Sequence, residues 1–542
     1  MKQLLRTIET VAHLRPSQIA ARLWFKVYRP FPDRRAAPDL RVPRAAWMSG
    51  PVRRPSLLAA DRARFLNIEA EIGSAAIWQD RSRGDLWRYN LHYFDDLLAE
   101  HAAERREWHL SLIARWIAEN PPGTGAGWEP YTLSLRIVNW IKWHMVTGGL
   151  TPHALNSLAI QVRYLRQRLE YHILGNHLLA NAKAIYFAGL FFGGNEGKGW
   201  LNLGQKILAS QVHEQILADG GHFELSPMYH LIIAEDLLDC VNASSVYHQK
   251  LPDMVLSAAA KTVAWAEVMQ HTDQEIPFFN DATLGISPKP REVSSYAEHL
   301  GVSRSPPPTV EEMIASSGYV RLEAGEALLF VDAAAIGPKY QPGHAHADSL
   351  SFELSFRGHR VFVNSGTSLY GVSSERQRQR GTAAHNCLVI DGENSTDVWA
   401  GFRVARRAKI VQRHLTKTDN ATMLVATHDG YARLPGRPIH SRSWLLNRNY
   451  LRIEDRVDGE GRHTIDVFLR LHPALSVGRK SGELCITLPT ERELRLVSAL
   501  PLNIEPATWH PGFGVSVNAK MLHASMEVDL PWSGCIDIFW ER

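Results

Sequence analysis

The apolar residues of this chain change their spacing once. Up to about residue 300 they recur every three to four positions, as on one face of a helix, and after Pro306–Pro308 they alternate every second position, as on a strand. A chain that finishes its helices before it begins its strands cannot weave them into a parallel sheet, because each parallel crossover needs a helix between strands. Two segregated domains follow. The helical runs are Leu57–Ile72, Asn90–Ala102, Arg106–Glu119, Tyr131–Thr147, Ala154–Glu170, Asn176–Phe192, Leu201–Ala218, Pro227–His248 and Pro252–Gln270. Helix pairs of this kind stack as a solenoid or close into an (α/α) toroid. The strands, from Gly318–Glu323 to Cys535–Trp540, are separated by turns such as Arg357-Gly358 and Asp458-Gly459 and predict a β-sandwich. The expected units are residues 1–56, an arm and Pro-rich connector, residues 57–310, the helical domain, and residues 311–542, the sandwich. A site is expected where the two domains meet.

Composition narrows the function. At 542 residues, with 45% hydrophobic and 21% charged, the chain is globular and holds more than one core. Sixty Lys and Arg against 56 Asp and Glu give no basis for a nucleic-acid partner. Cys240, Cys387, Cys485 and Cys535 lack a C-x-x-C spacing and are expected to be buried small hydrophobes. Ala184–Phe192, the most apolar run, is too short to cross a bilayer. Arg6, Glu9, His13 and Arg15 interrupt any secretory h-region, so no cleavable signal is expected. The basic charge is polarised into residues 1–56, where Leu4, Leu5, Ile8, Val11 and Ala12, then Ile19, Leu23 and Trp24, predict two short amphipathic helices. Such an arm either packs on its own domain or makes a peripheral contact with a membrane or an anionic polymer.

Three clusters carry chemistry. Gly175-Asn176-His177 opens a helix, where free N–H groups favour an anion; Asn176 as an N-cap with His177 packed is the alternative. In Asp219–His230, Ser226 as N-cap and Pro227 as first helical residue put Tyr229 in a first turn, where the helix dipole is expected to ease its ionisation. An ordinary core aromatic is the alternative. In Tyr340–Asp348, His344 and His346 share a face if the run is extended, and with Asn364 and His385 they form either a metal set or a hydrogen-bonded network.

Together with Asn364–Thr367 and Arg380–Asn386, these segments resemble, in order and separation, the heparinase II/III-like polysaccharide lyases, including related alginate lyases, over most of residues 80–400. The resemblance implies an α+β multidomain chain, an N-terminal (α/α) toroid followed by a C-terminal antiparallel β-sandwich. It implies β-elimination at a uronic acid, with loss of the C5 proton and of the C4 oxygen. Asn176 and His177 would neutralise the carboxylate, Tyr229 would protonate the leaving oxygen and could also remove the proton, and His344 would be the base for substrates whose C5 proton lies on the other face. His346, Asn364 and His385 match a structural zinc site of some relatives, although Asn364 stands where Asp is common. Trp128, Tyr131, Arg136, Tyr370, Arg376 and Arg380 are the candidate substrate-binding residues, their rings for sugar faces and their guanidinium forks for acidic groups. The implied partner is an anionic uronate-containing polysaccharide, and the implied setting is the periplasm or cell envelope, with the cytoplasm as alternative. Two other functions fit the residues: a toroid glycoside hydrolase using Glu129, Glu224, Glu235 or Asp236, and a non-catalytic polysaccharide-binding or assembly factor.

Overall fold

A computed structural model describes residues 2–540. The arm forms α1 (Lys2–Ala12) and α2 (Pro16–Val27), and the connector then runs extended along the helical domain, where the Arg41 N–H donates to Phe191 O at 2.8 Å. The arm packs on its own protein, across the domain seam. Arg6 Nε bonds Asp397 Oδ2 at 3.0 Å, Trp399 Nε1 donates to Thr10 Oγ1 at 3.2 Å, and Gln18 Nε2 donates to Ile173 O at 3.1 Å.

Residues 57–72 are not a helix. They form an antiparallel meander of Leu57–Ala59, Arg62–Phe65 and Ile68–Glu71. Ala63 and Ala70 are buried opposite each other while Arg62, Arg64, Glu69 and Glu71 face solvent, a period of two. Leu66 and Asn67, with φ of 53° and 61°, make the two-residue turn between them. The run expected from Asn90 is also shorter: α3 (Asp85–Tyr93) stops at the left-handed Phe94, and a 3-10 turn follows over Asp95–Leu98.

The other helices fall close to their expected positions: α4 (Arg106–Glu119), α5 (Pro130–Thr147), α6 (Pro152–Arg166), α7 (Gly175–Phe191), α8 (Gly194–Gln215), α9 (Pro227–Tyr247) and α10 (Asp253–Val268). Helix α8 starts seven residues before the expected Leu201, because its glycines serve close packing and do not break the helix. A Cβ on Gly204 would lie 2.6 Å from the Tyr186 backbone of α7. Helices α7 and α9 are apolar nearly all round and buried, the signature of inner helices in the toroid. Two short helices escaped the periodicity, α11 (Pro290–His299) and α12 (Val310–Ala315), the second of which packs on the sandwich core through Val310 and Ile314.

The C-terminal domain is an antiparallel sandwich. Its first sheet runs Tyr319–Ala324, Ala327–Asp332, Phe352–Phe356 and His359–Phe362 in sequence order, a second has eight strands, and a third has four. Leu329, Val331, Phe352, Trp444, Ile453, Leu469 and Ile538 fill the core between them. Some of the strands that the pattern missed, Ile410–Lys417 and Asn503–Trp509, lie at sheet edges with few buried residues to mark an alternation, whereas Glu493–Ser498 and Val517–Asp529 lie inside their sheets. Cys240, Cys387 and Cys485 are buried and Cys535 is half-buried. Among the described residues no helix is long and apolar enough to cross a membrane.

Candidate active site

Helices α7 and α9 both begin at the seam, facing loops of the sandwich. At α9, the Ser226 hydroxyl accepts the Tyr229 N–H at 3.2 Å and donates to Asp281 O, as its N-cap role requires. Tyr229 is thereby presented from the first turn, its hydroxyl 3.2 Å from that of Tyr370 and its ring stacked on His344 with centroids 3.7 Å apart.

His344 and His346 lie in a loop, not on a strand, yet they converge on one carboxylate. Asp281 accepts from His344 Nδ1 at 3.0 Å on one oxygen and contacts His346 Nε2 at 2.9 Å on the other. Arg376 grips the same group with both terminal nitrogens, Nη2 to Oδ2 being 2.8 Å. Burial alone would push this carboxyl up, but Arg376 and the two imidazoles hold it well below the ordinary carboxylate range. With Nδ1 committed to Asp281, Nε2 of His344 is turned towards Asn176 and lies 3.5 Å from Glu224 Oε2.

At α7, Asn176 does not cap the helix. Its N–H donates to Glu224 Oε1 at 2.8 Å and its Nδ2 to Oε2 at 2.7 Å, while Nδ2 also lies 3.4 Å from His344 Nε2. Gly175, with φ of 58°, permits this approach, since a Cβ there would stand 2.3 Å from Glu224 Oε1. His177 is half-buried against Tyr131, ring centroids 4.5 Å apart, and its Nδ1 meets Glu170 Oε1 at 3.0 Å. Burial opposes the charged ring, but Glu170 outweighs it and raises the pKa above 6.5. Asn176, His177, Tyr229 and His344 are thus brought together.

Ionisation of Tyr229 departs from expectation. Burial, together with the nearby hydroxyls of Tyr370 and Tyr131, pushes its pKa well above 10 and overrides the helix dipole. The residue is a proton donor in the resting protein.

Of the substrate-binding candidates, Tyr131 and Tyr370 line the site and the other four do not. Trp128 is buried, with Nε1 donating to Asn120 O and its ring against Trp116. Arg136 is fully buried, bonded to Gln161 and to the carbonyls of His92 and Gly127 and stacked on Trp116, and pairs with neither Glu129 nor Asp281. Arg380 holds the carbonyls of Ala345, Ala400 and Arg403, and Arg376 is committed to Asp281. A guanidinium buried in this way organises loops and is out of reach of a sugar acid.

Glu170, Asp281 and Phe402 belong to the site without having been assigned a place in it, and Glu224 enters it as the partner of Asn176 and not as a hydrolase carboxylate. Phe402 edges both His344 and Tyr370. Asp281 follows Phe278-Phe279-Asn280 in a segment with neither helical nor strand period, so spacing gave no signal for it.

A second cluster lies behind Asp281. His346 Nδ1 and His385 Nε2 are 3.3 Å apart, and the third donor gathered within 4.8 Å is the Asp348 carboxylate. Asn364 instead accepts the Asn386 N–H at 3.2 Å and donates to Ser351 Oγ at 3.4 Å. Asp348 Oδ1 is buried without a partner, so two imidazoles and one carboxylate are a donor set that suits zinc.

The fold and site define a toroid-and-sandwich protein with a tyrosine–histidine centre at the domain seam. Family models match both halves, heparinase II/III N-terminus over residues 96–300 and heparinase II/III-like C-terminal over 306–530, and the chain belongs to the heparinase II/III-like family. It is 24% identical over 376 residues to a heparin-sulfate lyase of Bacteroides stercoris, covering 64% of this chain and 54% of that protein. It is 23% identical over 403 residues to one of Pedobacter heparinus, covering 68% and 58%. The chain therefore spans somewhat more than half the length of the curated relatives it matches. Among solved structures, a heparinase III aligns with a TM-score of 0.65 at 19% identity, over 83% of this chain and 76% of that one, and a heparan sulfate lyase from Pedobacter heparinus with 0.58 at 18%, over 97% and 88%. These likenesses show the fold.

Proposed function

We propose that the protein is a polysaccharide lyase that cleaves a uronate-containing anionic polysaccharide by β-elimination. The observation that carries this reading is the pairing, ring on ring, of a protonated Tyr229 with a His344 whose Nδ1 is fixed by Asp281, which leaves Nε2 as the nitrogen to act as base. The relatives named as heparin-sulfate lyases support the substrate class.

A C5 proton beside a carboxylate is hard to remove, so the site must neutralise that carboxylate and stabilise the charge that develops on it. The imidazolium of His177, sustained by Glu170, and the second N–H of Asn176 supply these interactions. Nε2 of His344 takes the C5 proton, and the electron pair forms the C4–C5 double bond as the C4–O bond breaks. The leaving oxygen takes the Tyr229 proton. Asp281 stabilises the resulting imidazolium, and exchange with solvent returns the proton to the phenolate.

A hydrolase needs a pair of available carboxyl groups, and its four candidates are already engaged. Glu235 pairs with Arg53 at 2.5 Å, Asp236 with Lys183 at 2.6 Å, Glu129 bonds Tyr89, and Glu224 holds Asn176. The reading is tested by incubation with a panel of uronate polymers while ultraviolet absorbance is followed. A conjugated unsaturated uronate is expected from at least one polymer, and chain cleavage without it would reject elimination.

His177 gives a pH dependence. Its raised pKa means that the charged ring and its contribution to stability are fully present below pH 6.5 and are lost as pH rises through the folded value. KM for an anionic substrate should rise over the same range, and His177→Gln should flatten that limb. Equal pH profiles of KM in the two proteins would remove His177 from carboxylate binding.

Zinc, where bound, would be held by His346, Asp348 and His385 and would supply a structural cross-link between loops, while the proton transfers stay with Tyr229 and His344. Zinc at a hundred times its Kd should stabilise the fold by about 2.7 kcal/mol, and Asp348→Asn should abolish the effect. Differential melting with zinc and with a chelator measures it.

A further inference from the structure

The arm is mounted with its amphipathicity reversed. An amphipathic helix ordinarily buries its apolar stripe and leaves the polar one in water. Here α1 docks through Arg6, Glu9 and Thr10, on Asp397, Arg406 and Trp399 respectively, and α2 docks through the fully buried Gln18 and through Phe25, whose ring packs on His172 and Arg168. The opposite stripes face solvent. Leu4, Leu5, Ile8 and Val11 are 46–65% exposed, and Ile19, Leu23, Trp24 and Val27 are 40–79% exposed, with Phe31 beyond them at 91%. Isolated apolar side chains on a surface need no explanation, but eight in register on two consecutive helices do.

Charge identifies the cover. Arg22, Lys26 and Arg29 are exposed on or just beyond α2, and residues 1–56 hold 12 Lys and Arg against Glu9, Asp33 and Asp39 alone. A second copy of this chain would set these cations against their equivalents. An anionic bilayer surface meets both features, since apolar side chains enter the headgroup boundary while Lys and Arg lie at the phosphates.

We infer that the outward stripes of α1 and α2 form a peripheral membrane-binding surface for anionic lipid. The polar contacts of the arm with Ile173, Asp397 and Trp399 place this surface beside the start of α7, which carries His177, and the loop that carries Phe402, so a membrane-bound molecule would hold its active site next to the lipid. This inference does not depend on the lyase reading.

The test is co-sedimentation of the full chain with vesicles of phosphatidylcholine alone or mixed with phosphatidylglycerol. Binding is expected to the mixed vesicles, weakening with salt. Arg22→Glu with Lys26→Glu should lower the partition coefficient by about tenfold or more. Leu4→Ser, Ile8→Ser, Leu23→Ser and Trp24→Ser combined should remove binding with little change in melting temperature, because these side chains make no core. No binding of the wild-type chain to the mixed vesicles would overturn the inference. So would undiminished binding by both variants, or a dimer in light scattering that the apolar variant dissolves in the absence of any vesicle binding.

Discussion

Tyr229→Phe should leave a folded protein whose turnover is lower by roughly 10²-fold or more, the scale of a lost general acid. Phe keeps the ring stacked on His344 and removes only the hydroxyl, whose sole side-chain partner named in the site is the half-buried Tyr370. The melting temperature should therefore hold while the rate falls. Because burial keeps this phenol protonated far into the alkaline range, its first role is to donate, and substrates with a better leaving group should lose less on substitution. Steady-state kinetics on such a pair, read beside a melting curve, checks both statements. Activity within about threefold of wild type would take Tyr229 out of the mechanism.

Asp281→Asn should cost more than any other single change in the site, in stability as well as in rate. The carboxylate is completely buried and is shared by Arg376, His344 and His346. An amide cannot balance the Arg376 guanidinium, and breaking a buried pair by removing one partner costs about 3–5 kcal/mol. The sign of the pH dependence follows. A carboxyl whose folded pKa is depressed contributes stability that is present above its unfolded value of 3.8 and is lost as pH falls through the folded value. Urea unfolding at neutral pH should show the loss directly, and wild type and variant should converge in acid. The rate should fall too, since an amide oxygen still orients His344 Nδ1–H but stabilises the imidazolium much less. Unchanged stability would mean that Arg376 finds another counter-charge. Unchanged turnover in a stable variant would mean that His344 needs no carboxylate behind it.

The large features were legible because they are periodic. Helices α4, α5, α6 and α10 show their 3.6 spacing, α7 and α9 stand out as long apolar runs between Gly, Asn and Pro breaks, and the sandwich shows its alternation wherever both faces are packed. Short local chemistry was legible for the same reason: Ser226 and Pro227 mark a helix start in any context, and the start fixes where Tyr229 stands. Side-chain destination was not legible. Arg136, Arg376 and Arg380 have the composition of a sugar-acid site, yet each is sealed by carbonyls or a carboxylate that come from segments distant in sequence. Asp281 and Glu224 illustrate the converse. Each reaches a histidine or asparagine tens of residues away, across a contact that only the closed toroid and its docking on the sandwich create. The ionisation of Tyr229 failed to follow from its helix position for a related reason, since burial is a property of the assembled seam and outweighs the dipole of one helix. The meander at residues 57–71 was misread because its apolar residues are few and its hairpin turn is Leu66-Asn67, without glycine.

In the proposed reaction the glycosidic bond is broken by elimination and not by addition of water. Digestion of a susceptible uronate polymer in water enriched in the heavy oxygen isotope, followed by mass spectrometry of the smallest products, tests it most directly. The account predicts products that carry one unsaturated uronate and no heavy oxygen at the new reducing end, beyond the slow exchange seen in a control oligosaccharide. One heavy oxygen incorporated per cleavage, with no loss of water from the product mass, would contradict it.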